Sequence, residues 1–260
     1  MTPFTYHRAT TVEEGLQLCR QPGTRYIGGG TNLLDLAKAG VEHPIHLVDA
    51  GWLPLATIES LSDGGVRIGA TASNTDTASH ALIRERYPLL SQALLAGASG
   101  QLHNMATVGG NLMQRTRCHY FYDTGFSACN KRAPGSGCGA LQGVHRMHAI
   151  LGANEHCIAV NPSDMSVALA ALEAVAAALE LDGRNVRRAR LALGGVAHKP
   201  WRVPAAEQVL VGRPLSTPAA SEAARLLLDG ARPLPNNAYK LTLAQHAVVR
   251  ALGIAAGGLA

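Results

Sequence analysis

The chain has 260 residues, of which 47% are hydrophobic and only 4% aromatic, with 28 glycines and a formal charge of +5. This length exceeds the usual single core, so two or three small domains packed with small aliphatic side chains are expected. The basic residues are scattered apart from Arg184, Arg187, Arg188 and Arg190, with no interleaved aromatics or helix-turn-helix spacing, which argues against a nucleic-acid partner.

Thr11-Val12-Glu13-Glu14 forms a capping box ahead of a first helix that carries Leu16 and Cys19. Tyr26-Ile27 is a short strand ending in Gly28-Gly29-Gly30-Thr31-Asn32, a second helix runs through Leu33, Leu34 and Leu36, and His46-Leu47-Val48 supplies another strand. Beyond residue 53 the alternation in Thr57-Ile58-Glu59 and Val66-Arg67-Ile68 around Asp63-Gly64 predicts a hairpin. Helices are predicted over 75–85 and 88–97, followed by the glycine-containing stretch Thr107 to Leu112.

Residues 115–157 are polar, rich in turn formers, and hold four of the five cysteines. An irregular stretch of that length inside a compact domain is functional or disordered. Pro162-Ser163-Asp164 then opens an Ala/Leu-rich helix, Leu191-Ala192-Leu193 is strand-like, and helices close the chain near 217–229 and 238–252. The longest apolar run, Met165 to Leu181, is broken by Glu173 and Glu180 and is unsuited to crossing a bilayer. Met1 to Arg8 lack the apolar core of a signal peptide. The chain is therefore expected to be made in the cytoplasm, and to reach the periplasm only with a partner that carries an export signal.

Cys118, Cys129, Cys138 and Cys157 show no C-x2-C pair and no thioredoxin-like spacing. A cytoplasmic origin argues against disulfides. The residues themselves leave open a cubane iron–sulfur cluster, a structural zinc or buried free thiols. Cys19 is expected in the apolar core. His103, His119, His145, His148 and His156 form no ligand pattern and are expected at the surface or as satisfied core residues. The turn from Gly28 to Asn32 offers N–H groups to an anion without being G-x-G-x-x-G or a P-loop. Thr107 to Leu112 adds a second donor-rich turn. Catalytic acid–base signatures such as G-x-S-x-G are absent.

Ile27-Gly28-Gly29-Gly30-Thr31-Asn32-Leu33-Leu34-Asp35-Leu36 resembles the pyrophosphate loop of the FAD-binding subunits of the xanthine dehydrogenase and molybdenum hydroxylase family. Gly97 to Leu112 is similar to that family's second flavin segment, and the two occur in the expected order. The segments around Cys118, Cys129, Cys138 and Cys157 resemble the insert of the periplasmic aldehyde oxidoreductase type, whose FAD subunit carries a [4Fe–4S] cluster on four cysteines. Leu193 to Arg202 resembles the family's C-terminal domain.

The resemblance implies an α+β fold: a PCMH-type FAD-binding fold in two subdomains, then a C-terminal α/β domain like that of the CO dehydrogenase flavoprotein. The expected boundaries are 1–52, 53–175 with the insert at 115–157, and 176–260. The implied cofactors are FAD and a [4Fe–4S] cluster. By resemblance, FAD is held by Tyr26, Ile27, Gly28, Gly29, Gly30, Thr31, Asn32, Leu33, Leu34, Thr107, Gly110, Asn111 and Asp164. Within that set the 28–34 loop and Thr107 take the pyrophosphate, and Asp164 takes the ribityl or adenosine region. The implied cluster ligands are Cys118, Cys129, Cys138 and Cys157. The implied partners are a large molybdopterin subunit, where aldehyde is oxidised, and a small [2Fe–2S] subunit, in a heterotrimer without nucleic acid or membrane span.

The chain departs from the family near residue 175. Leu172-Glu173-Ala174-Val175 runs directly into Ala176 to Gly183, so several tens of residues that would complete the second subdomain are missing, and the helix from Ser163 is expected to continue through the join. The expected function is an electron-transfer subunit. The alternatives are a flavin-deficient assembly subunit and a zinc-binding scaffold.

Overall fold

In the computed structural model, which describes residues 1–172 and 177–257, the chain divides into two units. The first comprises Met1–Arg115 with Phe121–Gly125, and the second Thr116–Tyr120 with Phe126–Ala260.

The first unit begins with a three-stranded parallel sheet of order β1-β3-β2, built from β1 (Thr5–Arg8), β2 (Thr24–Ile27) and β3 (His46–Asp49). Parallel neighbours need crossover helices, supplied by α1 (Val12–Leu18) and α2 (Leu33–Lys38). Thr11 caps α1 by accepting from the Glu14 N–H at 3.2 Å. The Glu14 carboxylate reaches back to the Thr10 N–H at 2.8 Å, one residue earlier than a capping box requires. Ala9, Val48 and Leu53 form the small core here, with Cys19 packed against it, as expected for Cys19.

The predicted hairpin forms from β4 (Ile58–Ser60) and β5 (Val66–Ile68), with Ile58 opposite Ile68. The helix predicted over 75–85 is two helices, α3 (Asn74–Ser79) and α4 (Ala81–Arg86), because His80 adopts an extended conformation between them. Three more helices follow: α5 (Pro88–Ala96), α6 (Gly100–Met105) and α7 (Val108–Met113). Ser99 and Thr107 cap the last two through their hydroxyls.

The second unit starts with a long irregular region whose regular pieces are the single turn α8 (His119–Tyr122), which passes into the first unit at Phe121, and a 3-10 turn at Gly139–Leu141. Ser163 caps α9 (Asp164–Leu172), accepting from the Ser166 N–H at 2.9 Å. The expected continuation of this helix into Leu181 is not what forms. Ala177–Asp182 is strand β6, paired antiparallel with β7 (Asn185–Leu191). The overlooked signal was Asp182-Gly183, a hairpin turn in which Gly183 has φ +59°. The join itself, residues 173–176, lies outside the described residues.

The β6–β7 hairpin packs with α10 (Pro204–Gln208), α11 (Thr217–Leu227) and α12 (Tyr239–Ala255). Ala219, Ala220, Ala223 and Ala224 of α11 are all buried in this core, so small side chains bring backbones together where aromatics are scarce. Glu207, 1% exposed, ties the layer together. It accepts from Arg202 Nε at 2.6 Å and Nη2 at 2.9 Å, from the Leu191 N–H at 3.1 Å and from Arg190 at 3.3 Å.

Candidate cofactor sites

The glycine turn leaves β2 and enters α2. Three of its features require glycine. Gly30 has φ +72°. A methyl group on Gly29 would overlap the Met105 carbonyl, and one on Gly28 would sit 2.7 Å from Thr107 Oγ1. The loop therefore lies directly against the α6–α7 junction. Leu34 backs it from behind, its Cδ1 within 2.9 Å of where a Gly30 Cβ would be.

The second turn is fixed by short main-chain bonds. Val108 N–H donates to Ala72 O at 2.9 Å and Gly109 N–H to Ala70 O at 2.8 Å. Thr107 accepts from Gly110 N–H at 3.1 Å, so its hydroxyl faces both glycine turns. Asn32 stands at the N-cap of α2 but caps nothing. Its side chain instead accepts from the Arg115 N–H at 2.8 Å and donates to the Tyr122 hydroxyl at 3.3 Å.

Between the turns is a cavity of about 520 Å³. Of the residues expected to hold FAD, Tyr26 through Leu33, Thr107 and Gly110 line it. Leu34 and Asn111 do not. Asn111 turns its amide oxygen to Gln114 at 2.8 Å, and Asp164 belongs to the second unit. Among the described residues, the main-chain N–H groups of Gly29, Gly30, Thr31 and Asn32 donate to no protein acceptor, which leaves them for an anion. Sequence reading overlooked Arg25, Glu42, Ala70, Thr71 and Arg115 in the wall. Glu42 accepts from Arg115 at 2.7 Å and lies 3.8 Å from Arg25, so two guanidinium groups flank one carboxylate. No short motif announces that cluster, because its members are brought together by tertiary folding. The mixture of donor-rich turns, cationic rim and apolar wall suits an extended cofactor bearing a diphosphate.

Cys118, Cys129, Cys138 and Cys157 lie in the second unit and form no disulfide. Each is presented by a local polar turn. Thr116 Oγ1 accepts from the Cys118 N–H at 3.3 Å, and Ser136 Oγ from the Cys129 N–H at 3.0 Å. Asn130 Oδ1 accepts from the Gly135 and Gly137 N–H groups at 3.0 and 2.9 Å, which curls the chain into Cys138. Asn154 Oδ1 accepts from the Cys157 N–H at 3.3 Å. Cys129 and Cys138 face each other across a β-bridge. Cys118 and Cys138 both pack on Tyr120, Ala140 and Ile158. Asn130 Nδ2 donates to His156 O at 2.7 Å, tying the Cys129 turn to the residue before Cys157.

The thiols thus share one neighbourhood, and their soft donor chemistry fits an iron–sulfur cluster. Among the described residues no three His, Cys, Asp or Glu groups close on a single point. A lone zinc would need such closure, with donors about 2.0–2.3 Å from one ion. A cubane places each thiolate on a different iron, so its ligands stand further apart.

His148, expected at the surface or in the core, is a core residue that also belongs to this neighbourhood. It is 2% exposed, and its Nε2 lies 3.1 Å from Cys118 Sγ. Burial, then the Lys240 and His119 charges, push its pKa below the ordinary histidine value.

The family description "FAD binding domain in molybdopterin dehydrogenase" matches residues 2–193, and "CO dehydrogenase flavoprotein C-terminal domain" matches residues 164–255. The chain therefore belongs to the FAD-binding subunits of the molybdenum hydroxylase family of oxidoreductases. It is 40% identical to the aldehyde oxidoreductase FAD-binding subunit PaoB of Escherichia coli, over 97% of this chain and 98% of that one. It is 24% identical to the glyceraldehyde dehydrogenase medium chain of Sulfolobus acidocaldarius, over 82% and 83% of the two chains. Its fold is similar to that of quinoline 2-oxidoreductase from Pseudomonas putida 86, with TM-score 0.69 at 22% identity, covering 98% of each chain. The alignment with PaoB runs over 318 positions, so at least 58 of them have no counterpart in these 260 residues. The two family matches overlap over residues 164–193, the stretch that contains the join.

Proposed function

We propose that this chain is the FAD- and [4Fe–4S]-carrying electron-transfer subunit of a molybdenum-dependent aldehyde oxidoreductase. In this reading a molybdopterin subunit oxidises the aldehyde, a [2Fe–2S] subunit relays the electrons, and this chain delivers them to an external acceptor. The observation that carries the reading is the cavity between the two glycine turns, lined by Thr107 and by Gly29, Gly30, Thr31 and Asn32, whose main-chain N–H groups have no protein acceptor among the described residues. When bound there, FAD supplies the exchange between single-electron transfer from iron–sulfur centres and paired transfer to an acceptor.

The residues of the chain bind and orient. The 29–32 N–H groups and Thr107 take the diphosphate oxygens, and Arg25 and Arg115 offset their charge. Gly28 and Gly29 allow the main chain to approach, and Asn32 holds the loop to Arg115 and Tyr122. Cys118, Cys129, Cys138 and Cys157 hold the cluster. Similarity to PaoB supports the aldehyde class.

A second reading, a structural subunit without flavin, is favoured by one observation: the 58 or more missing positions. Quantifying FAD and iron per chain in anaerobically purified protein decides between them. Flavin with about four irons per chain supports the electron-transfer subunit. Iron without flavin leaves the structural one, and neither cofactor refutes both cofactor assignments.

A further inference from the structure

The chain entering α12 and the first turn of that helix do more than start it. Asn237, fully buried, donates to the carbonyls of His145, His148 and Ala149 at 3.3, 3.4 and 3.3 Å. Lys240 Nζ, in a residue 8% exposed, donates to His148 O at 2.8 Å and Gly195 O at 2.7 Å. Asn236 N–H donates to His145 Nε2 at 3.1 Å. These bonds clamp the backbone of residues 145–149 and fix where the His148 ring points. That ring places Nε2 3.1 Å from Cys118 Sγ, while Nδ1 is enclosed with no partner. A proton on Nδ1 would be a buried donor without an acceptor, which is costly. The favoured tautomer carries its proton on Nε2, aimed at the sulfur.

We propose that His148 is the N–H···S donor to the Cys118 thiolate, that it raises the reduction potential of the cluster, and that Asn237 and Lys240 are its positioning residues. This rests on the assignment of a [4Fe–4S] cluster to Cys118, Cys129, Cys138 and Cys157. The one-electron reduction adds negative charge that is shared with the ligand sulfurs. A donor already directed at one of them stabilises the reduced form more than the oxidised form, and hydrogen bonds to cluster sulfurs are a recognised determinant of potential. No proton leaves His148 in the step.

The test is an anaerobic redox titration of the full chain, followed by electron paramagnetic resonance, in wild type, His148→Phe and His148→Gln. Phenylalanine fills the ring's space without a donor, and glutamine restores one. Iron content equal in all three, with the midpoint potential lowered in His148→Phe and restored toward wild type in His148→Gln, is the expected result. Equal iron with an unmoved potential overturns the hydrogen-bond assignment and leaves the cluster intact. Iron lost from His148→Phe alone also overturns it, making His148 a ligand rather than a tuner. Wild-type protein without iron removes the cluster assignment and this inference together.

Discussion

Gly29 and Met105 are in main-chain contact: a β-carbon on Gly29 would occupy the space of the Met105 carbonyl. The Gly28–Asn32 turn and the α6–α7 junction thereby form one surface, with no room at residue 29 for a side chain between them. Gly29→Ala is expected to abolish flavin binding, measured as FAD absorbance per chain after gel filtration. Gly100→Ala, where an added methyl meets nothing within 4 Å, keeps wild-type flavin content. Equal flavin in both variants would show that the close approach has no part in binding.

Asn32 holds the loop through two bonds, to Arg115 N–H and to the Tyr122 hydroxyl. Asn32→Asp keeps the acceptor but sets a negative charge beside the N–H groups assigned to the diphosphate. FAD affinity is expected to fall at least about tenfold, corresponding to roughly 1.4 kcal/mol. Fluorescence titration of the apoprotein reads this directly.

Replacing Cys157 by Ala removes a proposed ligand, whereas Cys19→Ala lies in the first unit, against its small core and Tyr26. Loss of an outer-shell partner alone weakens metal affinity roughly tenfold or more, so loss of a ligand is expected to empty the cluster. Iron analysis should show a collapse in Cys157→Ala and no change in Cys19→Ala. Iron retained in Cys157→Ala would remove that residue from the ligand set.

Burial alone would raise the Glu207 carboxyl. The Arg202 fork, the Leu191 N–H and Arg190 outweigh it and hold the carboxyl below the usual range. Folding therefore favours the carboxylate. Its contribution is complete above the unfolded value of about 4.3 and is lost as pH falls through the lower folded value. Glu207→Gln is expected to cost about 3 kcal/mol at pH 7, because it leaves two guanidinium groups facing a neutral amide. Urea unfolding at a series of pH values should show the difference from wild type shrinking on acidification. A constant difference would mean that packing, not charge, is what Glu207 contributes.

The glycine turn between β2 and α2 was legible in the sequence because its requirements are local: glycines between a strand and a helix, and a threonine cap facing them. Arg25, Glu42 and Arg115 were not legible, since their meeting depends on β2, the α2–β3 connection and the end of α7 converging. His148 was read as a surface or satisfied core histidine for the same reason. Its meaning comes from Asn237 and Lys240, roughly ninety residues further along the chain. The β6 strand was overlooked because its alanines and leucines suit a helix equally well. Asp182-Gly183 and the pairing with β7 decided the matter, an instance of tertiary context overriding propensity.

Phe121–Gly125 belongs to the first unit although the residues on either side belong to the second. Tyr122 in that strap receives the Asn32 amide, and Phe121 lies 4.9 Å beneath the Arg115 guanidinium. A nascent chain that has just emerged to Arg115 therefore lacks part of its own flavin unit. The loop can be locked only after Cys118, the second cysteine of the chain, has also left the ribosome. No cut at a single peptide bond separates the whole first unit from Cys118. Completion of the first unit thus waits, by the path of the chain, for Cys118 to be made.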